Sequence, residues 1–414
     1  MSDSKPLLIY PILASILILF VYHQINVLGF ANVDDAWMLL DEPLVRYGGF
    51  DMNFVVKVFS RINSLQYSPL NTLYYYLIYQ INGYDPYWYH LGSFLLHIAN
   101  TIVLFFLTRR LLTVFEVNNS VILAYSVCLL WAILPFNVES VVWISASKIP
   151  LFSLFGMLSI LSFINAVLLK STRYYILSLC YLSISFLAKE QAVLIALVNF
   201  SFLCCYQLKI GKLDFIANIK YCIPLFALSL VFGIITLYAG IYGGGSHDIV
   251  RYPFAQRIIL SFYCIFFYSS NLFLPMDLHY HYPFPMGAKE GVPIKFFLYP
   301  FIISLILLQL YLLISKSKYF AFYIFCVAIF FTNLLLCIQV FPLARAAIVA
   351  DRYMYQPSIG LIMICIVAAG SKMNFEKITT RGVVVITIFI GYVAYFSIYS
   401  NSLVIKWLSM DIIS

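Results

Sequence analysis

Four carboxylates lie close together immediately after the first long apolar run of this chain. They belong to Asp34, Asp35, Asp41 and Glu42, in the stretch FANVDDAWMLLDEP. Asp34 and Asp35 stand where a first membrane helix would leave the bilayer, and partial burial there would raise a carboxylate's pKa and strengthen it as a base. Such a base is suited to deprotonating a hydroxyl that attacks an activated sugar carbon. The alternative is a solvated helix end whose acids do no chemistry.

A cation of matching chemistry lies near the end of the chain, in VADRYMYQPSIG. Guanidinium groups bind phosphates through paired hydrogen bonds, so Arg352, beside tyrosines at a bilayer surface, is suited to a lipid phosphate. Arg345, seven residues earlier, is a second candidate for the same task. The alternative is a surface ion pair between Asp351 and Arg352, which would contribute little energy.

Two short connections carry further charges. LPFNVESVVWISASK contains Glu139 and Lys148, and FLAKEQAV contains Lys189 and Glu190. Charges at or within membrane spans are costly and tend to face cavities or partners. Lysines at helix ends can instead extend to the interface, which accounts for Lys148 more readily than for the glutamates. Glu139, Lys189 and Glu190 are therefore the candidates that we retain.

Metal binding has only weak support in the sequence. His90 and His97 are seven residues apart and share a helix face, but no third ligand is near, so we expect packing and hydrogen bonds there. We keep His90 as a candidate substrate contact. A divalent cation held against the phosphate by Asp34 and Asp35 is the alternative to their use as a base.

The elements that position these side chains are membrane helices. Of the 414 residues, 63% are hydrophobic and 10% charged, and the mean hydropathy is +0.94, which excludes an ordinary soluble domain. Apolar runs of about 18 or more residues recur, whereas barrel strands would give short alternating segments. The Lys and Arg residues behind the net charge of +8 lie between the apolar runs rather than in one patch, so we predict no nucleic-acid binding.

We predict an all-α polytopic membrane protein whose single domain covers residues 1–414. Basic pairs alternate with the spans and indicate the cytoplasmic side, so eleven spans cross fully and 258–275 is re-entrant or interfacial. Long extracytoplasmic loops then occupy 30–87 and 241–295. The twelve predicted helical spans are 7–29, 88–108, 120–135, 143–169, 174–188, 191–208, 221–240, 258–275, 296–315, 319–341, 356–371 and 382–400.

Several fragments, in their order along the chain, resemble one family. The aspartate pair is followed by YSPLNTLYYYLIYQINGYDPYWYH, LPFNVESVVWISASK, FLAKEQAVLI, RIILSFYCIFFYSSNLFLP and VADRYMYQPSIGL. This series resembles the membrane portion of the transmembrane and tetratricopeptide-containing O-mannosyltransferases and their bacterial relatives. Those enzymes belong to the C-type glycosyltransferase superfamily (GT-C). The resemblance extends from about residue 30 to about residue 405.

The resemblance implies a polyprenyl-phosphate-linked sugar as donor and a catalytic acid in the first outer loop. By position, Asp34 would be the base, with Asp35 as its alternate. The other residues that match family motifs are Glu139, Lys189, Glu190, Asp351, Arg352 and Tyr353. The chain departs from the family at Ser68, where an arginine is usual, and around Glu139, where two histidines are missing. Tetratricopeptide repeats are also absent from these 414 residues.

The leading hypothesis from the sequence is an inverting glycosyltransferase that transfers a sugar to a hydroxyl of a protein Ser/Thr, a glycan or a lipid. Arg352 would hold the donor phosphate, helped by Lys189 or Arg345. Transfer would take place at the periplasmic face of a bacterial inner membrane. A transporter or flippase of lipid-linked glycans is one alternative, but its charges would lie near mid-bilayer. A glycan polymerase or ligase is another, and its reactive loop would be expected late in the chain.

Overall fold

The computed structural model describes residues 9–31, 34–62, 66–242, 252–287, 289–341, 347–374, 379–408 and 412–413. Helices dominate this part of the chain, which confirms the predicted all-α polytopic architecture. The helices are α1 (Ile9–Val21), α2 (Pro43–Tyr47), α3 (Met52–Ser60), α4 (Pro69–Asn82), α5 (Pro86–Val114), α6 (Ser120–Ala132), α7 (Val138–Val142), α8 (Lys148–Leu169), α9 (Thr172–Ala188), α10 (Ile195–Lys209), α11 (Phe215–Tyr242), α12 (Phe254–Phe273), α13 (Leu298–Ile314), α14 (Phe320–Leu334), α15 (Pro357–Gly370) and α16 (Thr380–Leu408).

Short irregular elements join the helices at the end of the bundle that carries the candidate residues. The chain forms a π-helix at Ala36–Leu40 and 3₁₀ turns at Ile144–Ser147 and Asp351–Met354, among others. Two-residue strands β1 (Phe30–Ala31) and β2 (Ile412–Ile413) pair antiparallel, so the chain beside the acids is joined to the C-terminal segment.

Each of the twelve predicted spans coincides with a helix. Within the described residues, six helical segments are long and apolar enough to cross a membrane, or seven if α6 and the piece after its 54° bend form one span. The number of complete crossings, expected to be eleven, stays a prediction. The segment predicted to be re-entrant or interfacial is the continuous helix α12, which is not among those six.

The bundle has two chemically different ends. At one end, Lys209 on α10 lies 2.7 Å from Glu116 after α5, and Asn119 donates to the Met373 carbonyl after α15 at 2.9 Å. The basic connections before and after these helices therefore gather there. Asp35 and Arg352 lie at the opposite end. Helices α5 and α8 begin near these two residues and end at the basic connections. This separation of charge follows from excluding charges from the apolar spans.

Buried polar contacts lock the helices beneath Arg352. The Tyr355 hydroxyl lies 2.8 Å from His97 Nδ1 on α5, and the indole N–H of Trp131 on α6 donates to the Tyr355 carbonyl at 2.8 Å. Close helix packing adds to this, since a Cβ on Gly360 of α15 would lie 2.2 Å from the Cys326 carbonyl oxygen of α14. The turn before α15 is thereby held in one position.

Candidate active site

The chain between α1 and the aspartates is anchored from below by His90. Its imidazole Nε2 lies 3.2 Å from the Gly29 carbonyl oxygen, and the side chain is fully buried. The structure therefore places this predicted substrate contact under the acid-bearing loop, where it holds the backbone. From the sequence alone, a histidine near the start of a long apolar helix could be either a substrate contact or a structural hydrogen-bonding residue.

Asp35 is a buried carboxylate with both oxygens occupied. Oδ2 accepts a hydrogen bond from the Ala31 backbone N–H at 2.8 Å, and Oδ1 accepts from the Ser145 backbone N–H at 2.9 Å and from the Ser145 hydroxyl. Its side chain is 1% exposed. Burial raises the pKa of Asp35 to about 6, although these hydrogen bonds act in the opposite direction. Asp35 ties the first loop to the start of α8.

Asp34, its neighbour in the chain, has a different environment. The residue is partly exposed, and Oδ1 accepts a hydrogen bond from the Trp37 indole N–H at 3.0 Å. Within the described residues this is its one side-chain hydrogen bond. The negative charge of Asp34 acts at longer range on Arg352 and on Lys148, so Asp34 lies at the same end of the bundle as these cations. It therefore retains acceptor capacity for a substrate hydroxyl.

Arg352 is held by a carboxylate and two aromatic rings. Glu139 accepts hydrogen bonds from both its guanidinium and its backbone N–H, the latter at 2.7 Å. The guanidinium carbon lies 4.9 Å from the ring centre of Trp143 and 5.1 Å from that of Tyr353. Burial alone would lower the pKa of Arg352, but the adjacent Glu139 raises it above its ordinary value. The side chain remains about one-fifth exposed.

Asp351, the neighbour of Arg352, does not pair with it. It is buried and accepts a hydrogen bond from the Tyr282 hydroxyl at 2.7 Å, which joins the turn to the loop after α12. Burial, followed by the charge of Glu139, raises the pKa of Asp351 well above its usual range. The surface ion pair considered from the sequence is therefore wrong, and Asp351 anchors the turn instead.

The predicted Lys189–Glu190 pair lies at the same end. Lys189 Nζ is 3.4 Å from Glu190 Oε1, and the lysine is buried while the glutamate side chain is about one-third exposed. Both charges act on Lys148, which places the pair in the same electrostatic environment as Asp34 and Arg352. Arg345, predicted to share the phosphate, lies outside the described residues.

The sequence favours Lys148 as a helix-end lysine that reaches the interface, and the structure contradicts that interpretation. The residue is 8% exposed at the first position of α8. Its ammonium group donates to Gln66 Oε1 at 2.7 Å and lies 3.7 Å from Met38 Sδ. The sequence signal was present, because Lys148 interrupts an apolar run, but only the fold shows that its partners are neutral.

A crevice begins beside Arg352. Its empty volume is about 230 Å³, counting space open to solvent, and it is lined by Arg352, Tyr353, Gln191, Asn333 and Gln356 among other residues. It lies between α8, α14 and α15. The structure therefore brings Asp34, Glu139, Lys189 and Arg352 to one end of the bundle.

The fold is similar to that of solved GT-C glycosyltransferases. Oligosaccharyltransferase from Archaeoglobus fulgidus in the apo form superposes with a TM-score of 0.53 at 11% identity, covering 97% of this chain and 56% of that one. The same enzyme tethered to an acceptor peptide containing the NVT sequon gives 0.50 at 11% identity, with 97% and 55% coverage. The chain thus spans little more than half of that enzyme's length.

ArnT from Cupriavidus metallidurans bound to undecaprenyl phosphate is a further similar structure, with a TM-score of 0.48 and 9% identity, covering 98% of this chain and 76% of ArnT. No protein-family model matches the sequence, and no curated protein matches it. At these identities the likeness shows the fold alone. Relationship to the O-mannosyltransferases in particular stays a prediction.

Proposed function

We propose that this protein is a membrane glycosyltransferase that moves a sugar from a polyprenyl-phosphate-linked donor to a hydroxyl acceptor. One observation supports it above all: a partly exposed carboxylate, Asp34, lies at the same end of the fold as Arg352, because Asp35 is hydrogen-bonded to Ser145 and Arg352 contacts the nearby Trp143. A fold hosts many functions, so the proposal depends on these side chains rather than on the architecture.

The proposed reaction is a single displacement. The acceptor oxygen forms a bond to the anomeric carbon while the bond from that carbon to the donor phosphate oxygen breaks. The electron pair of the broken bond stays on the polyprenyl phosphate, and the acceptor's proton passes to Asp34, which later releases it to water. Attack opposite the leaving group inverts the anomeric centre. Arg352 stabilises the charge that grows on the phosphate.

The remaining charged residues have positioning roles in this mechanism. Asp35 fixes the loop that carries Asp34, because its hydrogen bonds join Ala31 to Ser145. Glu139 and the Trp143 ring hold the guanidinium of Arg352 in one orientation. Such fixed orientation lowers the reorganisation needed in the transition state.

A divalent cation between Asp34 and Asp35 fits the structure poorly. Both oxygens of Asp35 accept hydrogen bonds from N–H or O–H donors, so they face groups that a cation would repel. Among the described residues, no group of three His, Cys, Asp or Glu side chains is arranged to hold a metal. We therefore derive no step through a metal.

The finer assignments extend this proposal. The acceptor is a hydroxyl of a protein Ser/Thr, a glycan or a lipid, and a mannose donor is the first to test, given the family resemblance. The positive-inside rule supports a reaction on the side opposite the basic connections, which in a bacterial inner membrane is the periplasmic face.

The test is sugar transfer by the purified full chain in liposomes, supplied with polyprenyl-phosphate sugars, mannose first, and a panel of acceptors. Wild-type protein should transfer label, and Asp34→Asn should lower kcat by about 10²- to 10⁴-fold, the usual contribution of a general base. Asp41→Asn is the matched control, since Asp41 belongs to the same acid cluster but is exposed. Equal activity of the two variants would remove Asp34 from the mechanism.

A further inference from the structure

Lys148, Lys189 and Arg352 lie at the acid-bearing end of the bundle, and they differ in their partners. Arg352 has Glu139, and Lys189 has Glu190 at 3.4 Å. Lys148 has no carboxylate within ion-pair distance among the described residues, and its contacts are the Gln66 amide oxygen and the Met38 sulfur. Lys148 is buried, with 8% of its surface exposed, and Lys189 is buried to a similar degree at 6%.

A buried ammonium with neutral partners is energetically unfavourable. Removing a charge from water costs several kcal/mol unless a counter-charge or a full set of hydrogen bonds compensates. The positive charges of Lys189 and Arg352 add to this cost, and the negative charges of Glu190 and Asp34, beyond ion-pair distance, offset part of it. An anion bound at this place would remove the deficit. In the part of the chain that the structure describes, Lys148 lacks a carboxylate partner of the kind that Lys189 and Arg352 each have.

We propose that Lys148 is a second ligand of the donor phosphate and that it binds the leaving polyprenyl phosphate more tightly than the intact donor. The Gln66 amide oxygen, 2.7 Å from the ammonium, occupies the position that a phosphate oxygen takes on binding. Gln66 is not fully buried and lies on the first outer loop, so it can yield this position.

The identity of the ligand rests on the proposed function, since the donor's phosphate is the anion that reaches Arg352. When the bond between the anomeric carbon and the phosphate oxygen breaks, the phosphate changes from a diester with one negative charge to a monoester with up to two. A cation without a carboxylate partner gains most from that second charge. Such an interaction is stronger in the transition state than in the ground state, so it raises kcat rather than only lowering KM.

The experiment measures binding of polyprenyl phosphate to the full chain in nanodiscs, together with kcat and KM for sugar transfer. Lys148→Gln should weaken binding about 10- to 100-fold, as expected for a charged hydrogen bond, and should lower kcat more than it raises KM. Lys148→Arg should restore part of both. Lys295→Gln is the matched control, because Lys295 is exposed and contacts a phenylalanine ring.

Gln66→Glu provides a test that leaves Lys148 in place. A carboxylate 2.7 Å from the ammonium competes with the phosphate, so this variant should bind polyprenyl phosphate more weakly. In a Lys148→Gln background the same change should add much less. If both Lys148→Gln and Gln66→Glu bind and transfer as Lys295→Gln does, Lys148 is not a phosphate ligand.

Further measurements distinguish free phosphate from the lipid phosphate, and they separate the phosphate-site proposal from the proposed enzyme activity. Inorganic phosphate and the uncharged polyprenol distinguish recognition of any phosphate from recognition of the lipid. Lys148-dependent binding of polyprenyl phosphate without any sugar transfer by wild type would support the phosphate site and reject the proposed enzyme. Normal sugar transfer by wild type, with no effect of Lys148→Gln on binding or transfer, would support the proposed enzyme and reject the phosphate site at Lys148.

Discussion

The pKa of Asp35 predicts a pH-dependent difference between wild type and Asp35→Asn. Burial raises this pKa from an ordinary value of 3.8 to about 6, so the folded protein binds the Asp35 proton more tightly than the unfolded chain does. Stability is therefore lost as pH rises from about 4 to about 6, and it is constant above that window. A shift of about two pKa units corresponds to about 3 kcal/mol, since each unit is about 1.4 kcal/mol.

Asparagine removes this titration but introduces a fixed cost. Its oxygen can accept from Ser145 as Asp35 Oδ1 does, while its NH₂ group faces the Ala31 N–H and loses that hydrogen bond. The lost bond and the unpaired donor cost about 1–3 kcal/mol at every pH. Because this cost does not depend on pH, it cancels when the two proteins are compared across the titration range.

We therefore expect the free energy of unfolding of wild type, relative to Asp35→Asn, to fall by about 2 kcal/mol between pH 4 and pH 7, most of the full 3 kcal/mol. Denaturant titration of both proteins in mixed micelles at several pH values measures this difference. Asp41→Asn, which changes an exposed carboxylate, serves as the control. A difference that stays constant or grows with pH would refute the description of Asp35 as a desolvated carboxylate.

Three further predictions concern Arg352 and the helix packing below it. Glu139→Gln removes the charge beside the guanidinium of Arg352, so we expect the free energy of unfolding in a denaturant titration to fall by about 3–5 kcal/mol. Sugar transfer should fall as well. Trp143→Leu removes a cation–π contact and should weaken polyprenyl-phosphate binding by about 1 kcal/mol in a direct titration. Gly360→Ala, whose Cβ would lie 2.2 Å from a backbone oxygen, should lower the unfolding midpoint by the equivalent of about 1–3 kcal/mol. Gly391→Ala should leave the unfolding midpoint unchanged, because a Cβ on Gly391 would have no atom within 4 Å. Equal effects of the two changes would contradict the close packing of α14 and α15.

The helical spans could be predicted from the sequence because apolar runs of this length are strongly constrained by the membrane. All twelve runs are helices, although their ends differ: the first run was drawn as 7–29, whereas α1 ends at Val21 and a 3₁₀ turn follows at His23–Val27. Hydropathy does not distinguish an α-helix from such a turn. Nor does hydropathy say which apolar helices cross the membrane completely.

The acid cluster shows how far residue types alone can lead. The structure divides its members: Asp34 is partly exposed and accepts from Trp37, Asp41 is exposed, and Glu42 caps α2 by accepting from the Leu44 N–H at 3.1 Å. Asp35 is wholly buried. The sequence indicated that this loop mattered, but assigning the four roles required knowing that Ser145, 110 residues later, donates to Asp35.

Adjacent aspartates can take opposite roles because successive side chains leave the backbone in different directions. Asp35 points into the protein, where three donors satisfy it and hold the loop against α8. That anchoring leaves Asp34 partly exposed with one hydrogen bond, from Trp37. A base needs an acceptor lone pair free for substrate and a fixed backbone beneath it, and neither aspartate could meet both requirements alone. In the proposed mechanism the pair is therefore one unit, in which the buried acid supplies the position and the partly exposed acid supplies the chemistry.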